Sequence, residues 1–380
     1  MNPSAGMLHS GHGYRIYGGP RRYIQGRDAL QDLGTVAREL GSRAVVVLDS
    51  RVLELFGERI QALLADAGVH ARLCPHDGEV SREALTCLGE SIADEGHQVV
   101  IGVGGGKALD SAKFVSRGGN HRLLLVPTLA SNDAPTSRAI VLFDEHHHLV
   151  GLEYTRWNPD VVLVDTAIIA SAPVRFFVAG IGDAIAKKFE ADASSRAGLT
   201  NFFGGRPPLA GRCLAAESYA VLRRQGVAAC RAVRRGEVNG AVEDVVEASL
   251  LLSGLGFENS GLFLAHSLTR GFALFPETHD CLHGELVAFG VLVQLVQERR
   301  PREQVLELLR FYADVGLPAC LAAVGLAEAD DSCLERIAAA ALETRYMREL
   351  GGRLDAGALA EHIRSVDRIA AEEGSSRPCG

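Results

Sequence analysis

The glycine-rich stretch Gly102-Val103-Gly104-Gly105-Gly106-Lys107 decides the predicted fold. It follows the apolar run 98–101 and leads into a segment with helical spacing over 107–117. Glycines let a backbone approach a pyrophosphate closely, and the next helix would offer unpaired N–H groups and its positive dipole end to the anion. The spacing is neither the usual dinucleotide fingerprint nor a P-loop. The stretch therefore predicts a phosphate cradle, with a tight turn that binds no ligand as the alternative.

Strand-like and helix-like segments alternate around this stretch. The continuous apolar runs at 44–48, 122–126 and 161–164 are typical of strands that are buried on both faces. The segments between them carry helical spacing, and this alternation predicts a parallel sheet with crossover helices. Residues 138–154 instead predict a hairpin. Its polar tip holds His146–His148, which we interpret as a solvated turn and not as a metal tract.

After Pro173 the strand signals stop and only helical spacing remains. The predicted helices cover residues 179–195, 208–225, 243–255, 260–272, 285–299, 301–315 and 332–345. The expected fold class is thus α/β plus all-α: an N-terminal parallel-sheet nucleotide domain, residues 1–172, followed by a helical domain, residues 173–380. We expect the active site in the cleft between them.

Composition excludes several classes of partner. The 380 residues carry a net charge of −8, which argues against a nucleic-acid partner. There is no apolar run long enough to span a membrane, and Met1–Gly13 lacks the features of a secretory signal. Eight scattered cysteines without a Cys-x-x-Cys pair are more typical of buried thiols than of disulfides. These features predict a cytoplasmic protein.

Several acids and histidines could form a catalytic centre. The loop 127–137 follows a strand, at the edge where open α/β sheets bind ligands, and it contains Asp133. Asp183 and Lys187 share a helical face, where they could also form a simple ion pair. His279 and His283 are spaced to chelate a metal, and an Asp with two His would form a catalytic zinc set with one open position. Whether Asp183, His266 and His283 converge is left open by the residues alone.

Taken together, these blocks resemble the glycerol dehydrogenases of the metal-dependent polyol and alcohol dehydrogenase family. That family is related to the iron-containing alcohol dehydrogenases and to dehydroquinate synthase. The resemblance runs from about Tyr23 to about Ile369. The blocks that carry it are Gly-Val-Gly-Gly-Gly-Lys (102–107), Pro-Thr-x-Ala-Ser-x-Asp-Ala-Pro-Thr-Ser (127–137), Asn-Pro-Asp (158–160), Val-Asp-Thr (164–166), Ala-Pro-Val-Arg (172–175), Gly-Ile-Gly-Asp-Ala (180–184), Leu-Leu-Ser-Gly-Leu-Gly-Phe-Glu (251–258), Ala-His (265–266) and His-Gly-Glu-x-Val-Ala-Phe-Gly (283–290).

The resemblance implies a role for each matching position. Asp183, His266 and His283 would be the metal ligands, and His279 would lie nearby in the pocket. Asp133 would face the substrate hydroxyls. Asp49 would hold the adenosine ribose, where a carboxylate repels a 2′-phosphate and favours NAD over NADP. The positions expected to bind or line the cofactor are Gly104, Gly105, Gly106, Lys107, Asp110, Thr128, Ser131 and Ser137.

The implied reaction is zinc-dependent hydride transfer between NAD(H) and a secondary alcohol of a polyol. Iron-type relatives place a fourth ligand, a histidine, where this chain has Lys187, so three ligands favour zinc. The departures from the glycerol dehydrogenase pattern are Asn132, Phe143, Ser267–Arg270, the segment between Phe272 and His283, and Thr344–Arg348. These departures leave the identity of the alcohol substrate open, and it could be a glycerol-like diol, a sugar alcohol or an aminocyclitol.

Two other reactions stay open. One is a cyclase that uses NAD transiently, as in dehydroquinate synthase. The other is an enzyme similar to glycerol-1-phosphate dehydrogenase, since Arg270 and Lys187 could suit an anionic substrate. A member that has lost catalysis is a third alternative. The family usually forms homo-oligomers.

Overall fold

The computed structural model describes residues 13–93, 96–144, 149–351 and 354–374, so the predicted turn at His146–His148 lies outside the described residues. The strands are β1 (Arg22–Gly26), β2 (Arg43–Leu48), β3 (His70–Pro75), β4 (Val99–Gly104), β5 (Arg122–Pro127), β6 (Ala139–Phe143), β7 (Leu149–Tyr154) and β8 (Val161–Asp165). The helices are α1 (Leu33–Leu40), α2 (Ser50–Asp66), α3 (Arg82–Ile92), α4 (Gly106–Ser116), α5 (Thr166–Ser171), α6 (Val174–Ala197), α7 (Leu209–Val233), α8 (Gly240–Glu247), α9 (Ser253–Ser260), α10 (Leu264–Phe272), α11 (His283–Gln297), α12 (Arg302–Val315), α13 (Asp331–Leu342), α14 (Arg345–Arg348) and α15 (Ala356–Glu372).

A six-stranded parallel sheet forms the first half of the chain, in the order β1-β8-β5-β4-β2-β3. Its central strands are buried on both faces, because alternate residues point into different apolar layers. Val46 joins the layer beneath α1 and α2, whereas Val45 joins the layer beneath α3 and α4. The predicted parallel sheet is confirmed, and continuous apolar strands are what such burial requires.

The predicted hairpin is also confirmed, since β6 and β7 pair antiparallel as a separate two-stranded sheet. The edge strand β1, Arg-Tyr-Ile-Gln-Gly, was not predicted. None of its residues is fully buried, so its sequence lacks the apolar run of a central strand. The short helix α5 and the C-terminal helix α15 were likewise not predicted.

The second half is helical, as predicted, and α6 lies at its centre. This 24-residue helix is buried on nearly every side, with contacts to α7, α9 and α11. The predicted helix at 243–255 is in fact two helices, α8 and α9, joined by a π-helical turn at Ala248–Leu252. The α/β plus all-α fold class is therefore confirmed, and the proposed domain boundary at 172/173 falls between α5 and α6.

Two general expectations can be compared with the described residues. Among them, no helix combines the length and the hydropathy needed to cross a bilayer. The described cysteines are free thiols. The prediction that the cysteines are buried is wrong for Cys87 and Cys213, which are exposed.

Candidate active site

The predicted cofactor cradle lies where the strand order of the sheet reverses. The chain passes from β2 outward to β3 and then returns to place β4 on the other side of β2. The carboxyl ends of β2 and β4 therefore flank a crevice, which is where open α/β sheets bind ligands. Leu48 pairs with Val103 at this end, so Asp49 lies beside Gly104.

The glycine turn is shaped by close contacts. Gly104 has a φ of 147°, and a Cβ there would lie 2.8 Å from the Cβ of Ala108. Only glycine fits such a position without strain. Gly105 is the N-cap of α4 and offers no side-chain hydrogen bond to the helix. The first N–H groups of α4 thus face the crevice, which fits a pyrophosphate.

The other predicted cofactor residues lie around this turn in different settings. The Thr128 amide donates to the Gly104 carbonyl at 3.0 Å, which folds the loop after β5 over the cradle. The Asp49 carboxylate caps α2 by accepting from the Val52 amide at 2.7 Å. The other carboxylate oxygen of Asp49, Oδ2, would lie 3.4 Å from a Cβ on Gly104. Lys107 Nζ is 2.6 Å from Glu79 Oε1 at the rim.

Asp110, Ser131 and Ser137 also belong to the predicted cofactor set. The carboxylate of Asp110 is buried, where it accepts from Lys113 Nζ and from the Val141 amide, both at 2.9 Å. Ser137 is buried and its hydroxyl accepts from the Ala139 amide at 3.3 Å. Ser131 is half-buried. The contacts of Asp110 join α4 to the hairpin, and a cofactor role for all three residues stays a prediction.

The three residues predicted as metal ligands converge. One ligand atom from each of Asp183, His266 and His283 lies within 4.8 Å of the others. Asp183 Oδ1 is 3.1 Å from His266 Nε2 and 3.9 Å from His283 Nε2. His279 is exposed, with Nε2 3.5 Å from the Ala273 carbonyl, and is outside this group. The geometry thus favours the three-residue set over chelation by the His279–His283 pair.

Glycines allow the helices that carry Asp183 and His283 to touch. A Cβ on Gly284 would lie 1.8 Å from the Ala179 carbonyl oxygen, and one on Gly182 would lie 2.4 Å from the Gly284 carbonyl oxygen. Both distances are far inside van der Waals contact, so α6 and α11 cross backbone to backbone. The side chains of Asp183 and His283 can then reach one point. At Gly180 a Cβ would lie 1.8 Å from the Ala130 carbonyl oxygen, so α6 also touches the loop after β5.

Glu190 is a site residue that the sequence reasoning missed. Its Oε2 is 2.5 Å from His266 Nδ1, and its Oε1 accepts from the amides of Phe263 and His266, each at 2.9 Å. The carboxylate therefore orients the imidazole so that Nε2 faces Asp183. The available signal was spacing, because Glu190 follows Asp183 by seven residues and shares its helical face.

Replacing Glu190 with glutamine tests this orienting role. An amide accepts more weakly than a carboxylate, so the His266 ring is held less firmly and is a poorer ligand. We expect the affinity for a divalent metal to fall by about 10- to 100-fold while the helices still form. Competition with a chelator measures this change, and an unchanged metal affinity would show that Glu190 serves only the fold.

The electrostatics of the cluster suit a cation. Burial works against the charged form of Asp183, but Lys187 and the hydrogen bond from His266 outweigh it and hold its pKa below the usual value. Desolvation by the surrounding protein lowers the pKa of His283 to about 4, and the positive charges of His266 and Lys187 add to this shift. Asp183 is then an anion and His283 is neutral at pH 7, as metal ligands must be.

Lys187 lies inside the cluster. Its Nζ is 2.5 Å from Asp183 Oδ1, 2.9 Å from His266 Nε2 and 3.4 Å from Asp133 Oδ2. Burial alone would lower the pKa of Lys187, but Asp133 and Asp183 raise it above the usual value. Lys187 is thus a buried ammonium ion, and it forms the i,i+4 ion pair with Asp183 that the spacing allowed as an alternative.

Asp133 brings the loop after β5 into the same cluster. Its Oδ2 accepts from Ser253 Oγ at 2.5 Å, in addition to the contact with Lys187. Burial raises the pKa of Asp133 to about 6, and the Lys187 ammonium limits this rise. Arg270 lies one helical turn after His266 on α10, and it is exposed. The site therefore joins an acid from the sheet half to the predicted ligand set of the helical half.

Comparison with known proteins agrees with this geometry. A family profile described as iron-containing alcohol dehydrogenase matches residues 20–166. A glycolaldehyde reductase from Halobacterium salinarum is 40% identical over 86% of this chain and 90% of its own. A glycerol dehydrogenase from Citrobacter freundii is 38% identical over 86% of this chain and 89% of its own. The chain belongs to the iron-containing alcohol dehydrogenase family.

The fold agrees with solved structures of this family. The crystal structure of glycerol dehydrogenase from Schizosaccharomyces pombe superposes with a TM-score of 0.91 at 33% identity, covering 95% of this chain and 92% of that one. Because the similarity extends through both halves, the prediction of an oxidoreductase enzyme related to the glycerol dehydrogenases is confirmed.

Proposed function

We propose that this enzyme transfers a hydride between NAD(H) and a secondary alcohol of a polyol, with zinc at the Asp183, His266 and His283 cluster. The observation that carries the proposal is the convergence of these three side chains beside Asp133. The relatives named as glycerol dehydrogenases support a polyol, and the one named as a glycolaldehyde reductase supports a reaction that runs in either direction.

The donor set fits a divalent metal. It offers one carboxylate and two imidazoles, and the buried carboxylates of Asp133, Asp183 and Glu190 outnumber the Lys187 ammonium ion. Lys187 is a poor ligand because it is protonated, so three protein ligands remain, as in catalytic zinc sites. When bound, zinc would act as a Lewis acid on the alcohol oxygen. Because Lys187 Nζ lies 2.5 Å from Asp183 Oδ1 and 2.9 Å from His266 Nε2, metal binding would require this ammonium group to move away from the two ligands.

The crevice at β2 and β4 would hold NAD. The N–H groups at the start of α4 would bind the pyrophosphate, and the carboxylate of Asp49 would face the ribose. That carboxylate disfavours the 2′-phosphate of NADP. The contact between Gly180 and the Ala130 carbonyl would keep the cofactor loop and the ligand helix in a fixed arrangement. A fixed arrangement favours a near-attack position of the alcohol carbon against the nicotinamide.

The proposal is tested by one screen on one sample. NAD reduction is measured with glycerol, other vicinal diols, inositols and amino sugars, and metal content is measured on the same protein. We expect activity with at least one polyol and about one zinc per chain. Bound iron without zinc would overturn the choice of metal. NAD consumption without net NADH production would favour a cyclase resembling dehydroquinate synthase.

Asp133 is proposed to accept a hydrogen bond from the second hydroxyl of a diol. In Asp133→Ala we expect kcat/KM for propane-1,2-diol to fall by about 10- to 100-fold, because a hydrogen bond to a charged group contributes about 1.5–3 kcal/mol. Propan-2-ol lacks that second hydroxyl and should lose much less. Equal losses for the two alcohols would contradict this role.

Three further features belong to the proposal. We place the enzyme in the cytoplasm, divide it into domains at residues 172 and 173, and expect a homo-oligomer with closed symmetry. The free thiols among the described residues support the cytoplasmic location. The change from strands to helices after β8 supports the domain division.

A further inference from the structure

Ser253 contributes a hydroxyl to the site that the proposed chemistry does not use. Its side chain is completely buried at the start of α9, and its Oγ lies 2.5 Å from Asp133 Oδ2. Asp133 belongs to the loop after β5, so this hydrogen bond joins the helical half to the sheet half. We infer that Ser253 is a positioning residue that aims the Asp133 carboxylate at the second hydroxyl of a diol. This inference rests on the proposed function of Asp133.

A local irregularity of the helix brings Ser253 to Asp133. The π-helical turn Ala248–Leu252 precedes Ser253, whose amide donates to the Ala248 carbonyl five residues earlier. In an α-helix successive residues are about 100° apart around the axis, so one additional residue in a turn rotates everything after it by about that angle. Without this turn the Ser253 hydroxyl would point away from the loop. The π-helical turn thus allows the hydrogen bond between Ser253 and Asp133, which a regular α-helix could not form.

The same turn also anchors the loop beyond Asp133. Thr136 Oγ1 donates to the Leu250 carbonyl, within the π turn, at 2.8 Å. A Cβ on Gly254 would lie 1.9 Å from Thr136 Oγ1, so the loop rests against bare backbone at that residue. The loop is therefore held at the Thr136 side chain by residues 250 and 254 and at its functional carboxylate by Ser253.

The contacts of Asp133 leave a defined role for its second oxygen. Ser253 Oγ and Lys187 Nζ both contact Oδ2, at 2.5 Å and 3.4 Å. We therefore expect Oδ1 to receive the substrate hydroxyl. Loss of the Ser253 hydrogen bond would free the carboxylate to rotate toward Lys187, while the ligands Asp183, His266 and His283 keep their places.

Ser253→Ala tests the inference, and Ser249→Ala is a matched control. Ser249 is also buried and lies in the π-helical turn just before Ser253, but its Oγ has no hydrogen-bond partner in the described structure. In Ser253→Ala we expect kcat/KM for propane-1,2-diol to fall by about tenfold and that for propan-2-ol by less than about twofold. Ser249→Ala should leave both values unchanged.

A double-mutant cycle separates positioning from a structural role. If Ser253 acts through Asp133, then Ser253→Ala causes no further loss of diol activity in the Asp133→Ala background. Additive losses, or equal losses with both alcohols, would overturn the inference. Ser253→Thr keeps the hydroxyl and should restore the diol preference, which provides a second variant if alanine lowers the melting temperature. Should Asp133→Ala itself fail to discriminate between the alcohols, the proposed role of Asp133 fails, independently of Ser253.

Discussion

Replacing His266 with alanine will abolish metal binding and turnover together. His266 joins Asp183 and His283 at one point, and its loss leaves two ligands, too few for a catalytic zinc site. A Lewis acid contributes several kcal/mol to such a reaction, so kcat should fall by about a thousandfold or more. Elemental analysis after dialysis and NAD reduction on the same sample measure both effects.

His279→Ala is the matched control for this experiment. His279 is a histidine four residues before His283 and would be a ligand if that pair chelated the metal alone. It is exposed and lies outside the cluster, so its loss should leave metal content unchanged. A His266→Ala protein that keeps its metal would show the ligand assignment to be wrong. Loss of metal in His279→Ala would point to the His279–His283 pair.

Replacing Gly284 with alanine adds a single methyl group, and we expect it to cause a large loss of both stability and metal affinity. A Cβ there would overlap the Ala179 carbonyl oxygen at 1.8 Å and approach the Asp183 amide at 3.1 Å. Backbone cannot yield as a flexible side chain does, so α11 must move away from α6. We expect Gly284→Ala to lower the free energy of unfolding by about 3 kcal/mol and to weaken metal binding, since His283 moves with the helix. Urea unfolding and chelator competition measure the two effects.

Gly240→Ala controls for the general effect of exchanging glycine for alanine. Gly240 opens α8, and a Cβ there would meet no atom within 4 Å. Alanine also favours helix, so the stability should stay the same or rise slightly. If Gly284→Ala were as stable as Gly240→Ala and kept its metal, the close crossing of α6 and α11 would not be needed for the site.

Much of the fold follows from residue patterns that a reader of the sequence can recognise. Buried parallel strands show as apolar runs, as in 44–48, and the hairpin shows as two apolar segments around a polar turn. Strand β1 escapes this reasoning because an edge strand needs no apolar run. The break between α8 and α9 could not be predicted either. A π turn has the composition of a helix and changes only the direction in which the following side chains point around the helix axis.

The candidate site was predictable as residue types and only partly as contacts. Asp183, His266 and His283 were expected together on the strength of a resemblance, and the structure brings them together. Glu190 and Ser253 were not expected: the only signal for Glu190 was its spacing from Asp183, and nothing local distinguishes a buried serine that contacts a distant residue. Their partners, His266 and Asp133, are 76 and 120 residues away in the chain.

The contact of Gly180 with the Ala130 carbonyl limits how this enzyme could acquire a new substrate. No side chain separates the two backbones there, so neither segment can shift to enlarge the space for a bulkier alcohol. Evolution toward another substrate must therefore proceed by exchanging side chains at the periphery, such as Arg270, and not by moving the scaffold. Directed evolution of this enzyme should accordingly accumulate its specificity changes outside these two segments, and should leave 128–133 and 179–184 untouched.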